Sequence, residues 1–429
     1  MDKNTKIKES LARTRLKRSG QRCVVYKFKI NESKLSSKQK EQLKMMFVEG
    51  KWLYNHIVSR LNDENFKLSE FNPLVKEVQH FDKDGNEVTS KFEYLPASCR
   101  QTIVRQIESA LKTIRTLRKR GFQKHGSLKF ISELTSLNLK QYGTTHEIRS
   151  STTMKIQGVS KLVKVSGLQQ LRKIGVADFA NAMLLSTSCG YYIALTCFVD
   201  KENKRNETNG RILGLDFGCQ TSITDSDGNK RNISFGESEQ LKRLQRQLSR
   251  KKVKSSNRRR KLLVKIGRKY QHITNKKHDI ANKFIHEMKT YDKVVIQDEQ
   301  LYNWQRSGHG KAIQHSCLGL IKAKLKQMEN IVVLDRFIPT TKLCTSCGNV
   351  NKGMKLWNRT YNCPICGESS DRDVHAARNM VWIYENLVGR DAAEFTLKEF
   401  KASMSKHHFG VESKPMDDDL RRCRVFSLA

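Results

Sequence analysis

Cys344-x-x-Cys347 and, after fifteen residues, Cys363-x-x-Cys366 constrain this chain more than any other stretch. Two such knuckles at this separation let four thiolates converge tetrahedrally on one Zn²⁺, and Gly348 and Gly367 free the turn behind each pair. Four protein ligands leave no open coordination position, so this metal is structural and any chemistry has to come from other side chains. Acidic residues follow at once. Asp371 and Asp373 stand just before an apolar-periodic run, from about Val374 to Leu387, that predicts a helix.

The 429 residues allow two to four domains with their own cores. Against 43 Asp and Glu the chain carries 81 Lys and Arg, a formal charge of +38 whose self-repulsion a polyanion would relieve. Nucleic acid is the natural partner, because the charge is spread along the chain rather than gathered in one membrane-facing cluster. No run of eighteen apolar residues is present to span a bilayer, and the opening segment MDKNTKIKESLARTRLKRSGQR has no hydrophobic core for a signal peptide. Seven of the eleven cysteines lie outside the paired pattern without regular spacing, which suits a reducing compartment rather than a disulfide framework.

Residues 1–21 are polar and read as a flexible basic arm. Cys23 to Ile30 predicts a strand, and Ser36 or Ser37 caps a helix whose face is marked by Leu43, Phe47, Trp52, Leu53, His56 and Ile57, with its aromatics assigned to the core. Asp84-Gly85-Asn86 signals a turn in a small hairpin or loop. Pro96 opens a second helix, apolar at Ile103, Ile107, Leu111, Ile114 and Leu117, with Arg100, Arg105, Lys112, Arg115, Arg118, Lys119 and Arg120 on its far side. A face of one sign suits a phosphate backbone. From Ser127 to Asp200 short strands follow (SLKF, TMKIQ, LVKVSG, AMLLSTS and YYIALTCFV), with Gly190 in the last turn. They predict a small β-barrel that the early strand completes, so the helical block 37–126 is an insertion.

After an Asn-rich linker at 201–210, RILGLDF (211–217) reads as a buried strand ending in Asp216, with two more strands, at 221–224 and 230–235, around the Asp227-Gly228 turn. A basic helix over 237–271, broken near Ser255, a separate helix at 275–289, the strand KVVI (293–296), a helix at 313–328 and a strand at 331–337 precede the cysteines. Three strands, then helix, strand, helix, strand, helix, is the order of an RNase H-like fold with parallel central strands. The expected fold is multidomain α+β: a β-barrel with a helical insertion, then an RNase H-like α/β domain carrying an inserted zinc ribbon. In such a sheet, acids at strand ends and at a helix start converge on one crevice. Asp216, Glu299 and Asp373 are so placed, and three carboxylates can hold two Mg²⁺ about 4 Å apart for phosphodiester hydrolysis. Asp216 also suits a turn before Gly218, Asp298 is the alternative to Glu299, and Asp371 or Asp373 can serve as an N-cap. We assign metal to Asp373 and the cap to Asp371, and His375 to packing rather than phosphate.

GLDFG at 214–218, LSRKKVKSSNRRR at 248–260, the strand leading to Glu299, the two cysteine knuckles and DRDVHAARN at 371–379 resemble the split RuvC nuclease and zinc ribbon of TnpB proteins and miniature type V CRISPR effectors. WLYNHIV at 52–58 and the strand-rich 127–205 block agree more loosely with that family's recognition helices and wedge-like barrel. The resemblance implies an RNA-guided, Mg²⁺-dependent DNA endonuclease with catalytic acids Asp216, Glu299 and Asp373 and zinc ligands Cys344, Cys347, Cys363 and Cys366. It also implies a wedge-like barrel (22–36 and 127–205), a recognition insertion (37–126), a RuvC domain (206–340 and 369–390), a zinc ribbon (341–368) and a tail (391–429). Guide RNA and double- and single-stranded target DNA are the expected partners of a monomer or homodimer in a prokaryotic cytoplasm, at the nucleoid. Contact residues are expected at Arg105, Lys112, Arg115, Arg118 and Lys119 and at Arg250, Lys251, Lys252, Arg258, Arg259 and Arg260. Two positions depart from the family: His375 replaces an Asn, and Gln297 replaces the acid directly after the fourth strand. The second departure leaves open an RNA-guided binder with weak or lost cutting, and the same acids also fit a transposase acting without a guide.

Overall fold

The computed structural model describes residues 3–407 apart from 62, 64–65, 82–85, 122–126, 202–207, 220, 254–255, 356 and 390–391. The predicted Asp84-Gly85 turn, most of the 201–210 linker, the break at Ser255 and the end of the tail therefore lie outside the described residues. The chain divides into two compact units, Met1–Asn203 and Lys204–Ala429.

In the first unit α1 (Lys3–Ser19) leads into β1 (Gln21–Ile30), α2 (Ser37–Arg60), β2 (Glu77–Phe81), β3 (Glu87–Lys91) and α3 (Ala97–Lys119). There follow β4 (Ser136–Leu139), β5 (His146–Ile148), β6 (Thr153–Ile156), β7 (Val163–Ser166), the single turn α4 (Gln170–Lys173), β8 (Val176–Thr187) and β9 (Gly190–Asp200). The sheet order β4-β8-β9-β1-β7-β6-β5 places the first strand in the middle of an antiparallel, nearly barrel-like sheet. The helices are thus an insertion between β1 and the remaining strands. Ser36 starts α2 through a capping box with Gln39, which satisfies donors that a helix start otherwise leaves open. Leu43, Met46, Leu53 and Ile57 of α2 and Ile103 and Ile107 of α3 then bury against Phe28, Ile30, Leu184 and Leu195 of the sheet.

Three expectations for this unit are corrected. The basic arm is helical from Lys3, because Lys, Glu, Leu, Ala and Arg favour a helix and its end is tied to Asp178 by Arg18 at 2.8 Å and Lys17 at 3.3 Å. SLKF is not a strand; the pairing begins at Ser136, where Leu137 and Leu139 alternate inward while Phe130 stays exposed. Of the aromatics on α2, Phe47 is buried in the core and Trp52 packs against it, stacked on His80 with ring centroids 4.3 Å apart. Arg100 does not join the far face of α3: its guanidinium donates to the Val75 carbonyl and lies over Phe92.

The second unit contains β10 (Ile212–Phe217), β11 (Ile223–Asp225), β12 (Lys230–Arg231), α5 (Glu239–Ser249), α6 (Asn257–Met288) and β13 (Lys293–Gln297). These precede α7 (Leu301–Trp304), α8 (Gly310–His315), α9 (Leu318–Leu325), β14 (Ile331–Leu334), β15 (Thr360–Asn362), β16 (Ser369–Asp371), α10 (Arg372–Leu387), β17 (Glu394–Phe395) and α11 (Leu397–Met404). In the sheet β12-β11-β10-β13-β14-β17 the first two pairings are antiparallel and the last three parallel. Alternation sorts its side chains. Leu213, Leu215 and Phe217 face α6 and α9 across Phe284, Leu318 and Ile321, whereas Val295, Val332 and Leu334 face α10 across Met380 and Ile383. The separate helix expected from Asn275 is the second half of α6, since no Gly or Pro interrupts the run Gln271 to Asn275. The helix expected over 313–328 is split instead, because Ser316 adopts an extended backbone between α8 and α9.

Candidate functional site

The acidic crevice is built by a close approach of backbone to backbone. A Cβ at Gly214 would lie 2.0 Å from the Ala377 carbonyl oxygen, so only Gly lets β10 lie this tightly under α10. Asp216 shares the parity of Gly214 and therefore points to the α10 side of the sheet. Asp371 caps α10, its carboxylate accepting from the amides of Asp373 and Val374, and it also pairs with Lys230 at 2.7 Å. Asp373 thereby sits in the first turn.

Electrostatics show which acids are neighbours. Desolvation, then the negative fields of Glu299 and Asp373, push the Asp216 carboxyl well above the usual carboxylate range, and the Arg372 guanidinium opposes them. Glu299 is raised by desolvation against the pull of Lys322. Asp298, by contrast, turns to Lys326, whose charge and hydrogen bond hold its carboxyl low. Of the two neighbouring acids, Glu299 is the one coupled to Asp216.

Two cations in this crevice had no mark in the sequence. Lys322 of α9, buried at 6% exposure, donates from Nζ to the Glu299 carboxylate at 2.7 Å and to its main-chain oxygen at 2.6 Å. Arg372 donates to Asp373 Oδ1 from Nε at 3.0 Å and from Nη2 at 2.9 Å. Gln297 is not a member of the cluster. Its amide nitrogen, Nε2, donates to the carbonyls of Asp335 and Ile338 while its Oε1 accepts from Thr340, so it fastens the loop after β14. A buried carboxyl whose proton affinity two neighbouring acids raise suits a hard divalent cation such as Mg²⁺, whose charge relieves that repulsion.

The cysteines form a separate clasp. Sγ atoms of Cys344, Cys347, Cys363 and Cys366 all lie within 4.8 Å of one another, the only such ligand group among the described residues. Each knuckle turns on a left-handed glycine, Gly348 at φ +73° and Gly367 at φ +77°, whose amides donate to the Cys344 and Cys363 carbonyls. Burial opposes ionisation of Cys363, yet the amides of Cys366 and Ile365 and the neighbouring thiols bring it down to about 6. Burial pushes Cys344 and Cys347 up. Four converging sulfurs, one of them held toward the thiolate by backbone amides, fit Zn²⁺. His375 is packed: it is buried, stacks on Tyr361 and bonds to the Leu343 carbonyl at 2.7 Å.

The basic residues are divided between the two units. Arg105, Lys112, Arg115, Arg118 and Lys119 are exposed along α3, and Arg105 borders a polar cleft with Lys140, Asn138 and Asn181. Arg250, Lys251, Lys252, Arg258 and Arg260 are exposed around the α5 to α6 connection, with Arg259 half-buried. No helix among the described residues is long and apolar enough to cross a membrane.

Fold and site define a multidomain α/β protein with a four-cysteine clasp beside an acidic crevice. A family model described as the Cas12f1-like TNB domain matches residues 318–380, and one described as Probable transposase matches 196–304. A protein of Streptomyces pristinaespiralis, provisionally named an RNA-guided DNA endonuclease, is 32% identical over 182 residues, 39% of this chain and 44% of its own. InsQ of Escherichia coli K12, provisionally named likewise, is 24% identical over 359 residues, 77% of this chain and 85% of its own. A solved Cas12f1–sgRNA–target DNA complex aligns at a TM-score of 0.42 with 13% identity, over 80% of this chain and 82% of the Cas12f1 chain. The matches bear out the resemblance to the TnpB and miniature type V superfamily.

Proposed function

We propose that this protein is an RNA-guided DNA endonuclease that hydrolyses phosphodiesters at a single RuvC-type site formed by Asp216, Glu299 and Asp373. The observation that carries the reading is the negative field that Glu299 and Asp373 exert on the buried Asp216, in a chain whose relatives bear that name. Asp216, Glu299 and Asp373 would hold Mg²⁺, which when bound activates the attacking water and stabilises the leaving 3′ oxygen. The chain's own residues fix where that happens. Gly214 sets the depth of Asp216 under α10, the Asp371 cap orients Asp373, and Lys322 and Arg372 fix the carboxylates of Glu299 and Asp373.

On this reading the RuvC domain comprises 206–340 and 369–390, interrupted by a structural zinc ribbon at 341–368, and 22–36 with 127–205 form the wedge-like domain around the 37–126 recognition insertion. Guide RNA lies on the basic residues of α3 and of the α5 to α6 connection, base pairing selects the target, and the protein reads backbone shape and a short flanking motif. Sequencing the RNA that co-purifies with the protein tests the guide directly. A repeat-derived or transposon-end RNA is expected; a protein free of bound RNA that still joins or cuts DNA ends would favour a guide-independent transposase.

A further inference from the structure

Tyr361 is one of the most completely enclosed side chains in the protein, at 0% exposure, and its hydroxyl has no hydrogen-bond partner. A buried hydroxyl left without a partner costs about 1–3 kcal/mol, so its position calls for an acceptor. The ring packs within the clasp against Cys344, Cys347, Cys363 and Met354. On its other side the ring stacks on His375 at 3.7 Å between centroids and 13° between planes. His375 belongs to α10, two residues after Asp373. Its Nε2 donates to the carbonyl of Leu343, the residue before Cys344, and Asn379 on the next turn donates to the same carbonyl at 2.7 Å and to that of Thr340 at 2.7 Å.

We propose that Tyr361 is a positioning residue that couples metal loading of the clasp to the seat of Asp373. Its hydroxyl donates to a thiolate of Cys344 or Cys363 around the bound metal, and its ring, clamped on His375, holds the first turns of α10 in place. Metal-bound thiolates are stronger acceptors than thiols, so loading the clasp supplies the hydroxyl with the acceptor that its enclosed position lacks. Donors outside the ligand set in this way tune metal affinity and orient the ligands.

This rests on zinc occupying the four cysteines. Metal analysis of the purified full-length protein tests that by itself: less than one tightly held zinc per chain sinks the zinc reading whatever Tyr361 does. With the metal established, Co²⁺-substituted wild type, Tyr361→Phe and Tyr361→Leu are compared by the sulfur-to-cobalt charge-transfer band, by chelator competition and by hydrogen exchange in peptides covering 371–380. Tyr361→Phe keeps the stack and loses the donor, so its band shifts and its metal affinity falls about 10-fold, with exchange in α10 unchanged while metal is bound. Tyr361→Leu also loses the stack, and α10 exchanges faster even with metal bound. Stripping metal from the wild type speeds the same peptides. A Tyr361→Phe protein with wild-type band and affinity overturns the hydroxyl's role, and α10 protection indifferent to both metal removal and Tyr361→Leu overturns the coupling. Should Tyr361→Leu fail to fold, the Phe variant and the metal-stripped wild type still decide.

Discussion

Lys322 is the side chain that the geometry of the acidic crevice leans on most, since it holds Glu299 by both carboxylate and main chain in a position with little solvent. Removing one member of a buried pair strands the other, so Lys322→Met should destabilise the protein by about 3–5 kcal/mol in denaturant titrations at neutral pH. The loss should shrink at acid pH, where Glu299, whose carboxyl is already raised, takes up a proton. His146 makes a second test. Burial lowers its pKa to about 4, and its Nε2 has no partner. A histidine whose folded pKa is depressed contributes no penalty above its unfolded value near 6.5; as pH falls from there toward 4 the unfolded chain binds the proton first and stability is lost. The loss reaches about 3 kcal/mol, and His146→Phe should flatten that limb of the pH-stability curve. The acids and cysteines were legible because each stands at a strand end, a helix start or a fixed spacing. Lys322 was not, because one lysine among 81 basic residues acquires meaning only when α9 folds over the end of β13. The structural role of Gln297 was hidden for a related reason: it stands where the family has an acid, and its amide holds the loop after β14.

At the scale of elements, the packing of β10 under α10 decides whether Asp216 and Asp373 can act together. Gly214→Ala would drive a methyl into the Ala377 carbonyl, so the helix must lift. Overpacking of this kind costs about 1–3 kcal/mol, and cutting should fall far more than stability does; a folded Gly214→Ala protein with wild-type cleavage would show that the approach is not needed. The parallel strands were readable from their unbroken apolar runs, and the sheet insertion from the lone strand at Cys23. What escaped were features without local signal. The continuity of α6 over thirty-two residues rests on the absence of proline, its one glycine, Gly267, being accommodated within the helix, and the strands β4 and β5 are each only three or four residues long. The helical arm α1 reads as a polar tail until Asp178, far along the chain, supplies its anchor.

For the whole molecule, a charge of +38 predicts binding governed by counterion release. The logarithm of the guide-RNA affinity should fall linearly with the logarithm of salt concentration, and Arg258→Gln with Arg260→Gln should lower that slope by about 1.4–1.8 if both side chains neutralise phosphates. Unchanged slope would remove the α5 to α6 connection from the nucleic-acid surface. The central claim is that an RNA bound to this chain directs Asp216, Glu299 and Asp373 to cut matching DNA. The most direct measurement is cleavage of a guide-matched duplex by the purified protein–RNA complex with Mg²⁺, run beside Asp216→Ala and a mismatched duplex. The account predicts cutting of the matched duplex by the wild type alone, with Asp216→Ala still bound to RNA and target. Equal cutting by Asp216→Ala, or no dependence on the guide's sequence, would contradict it.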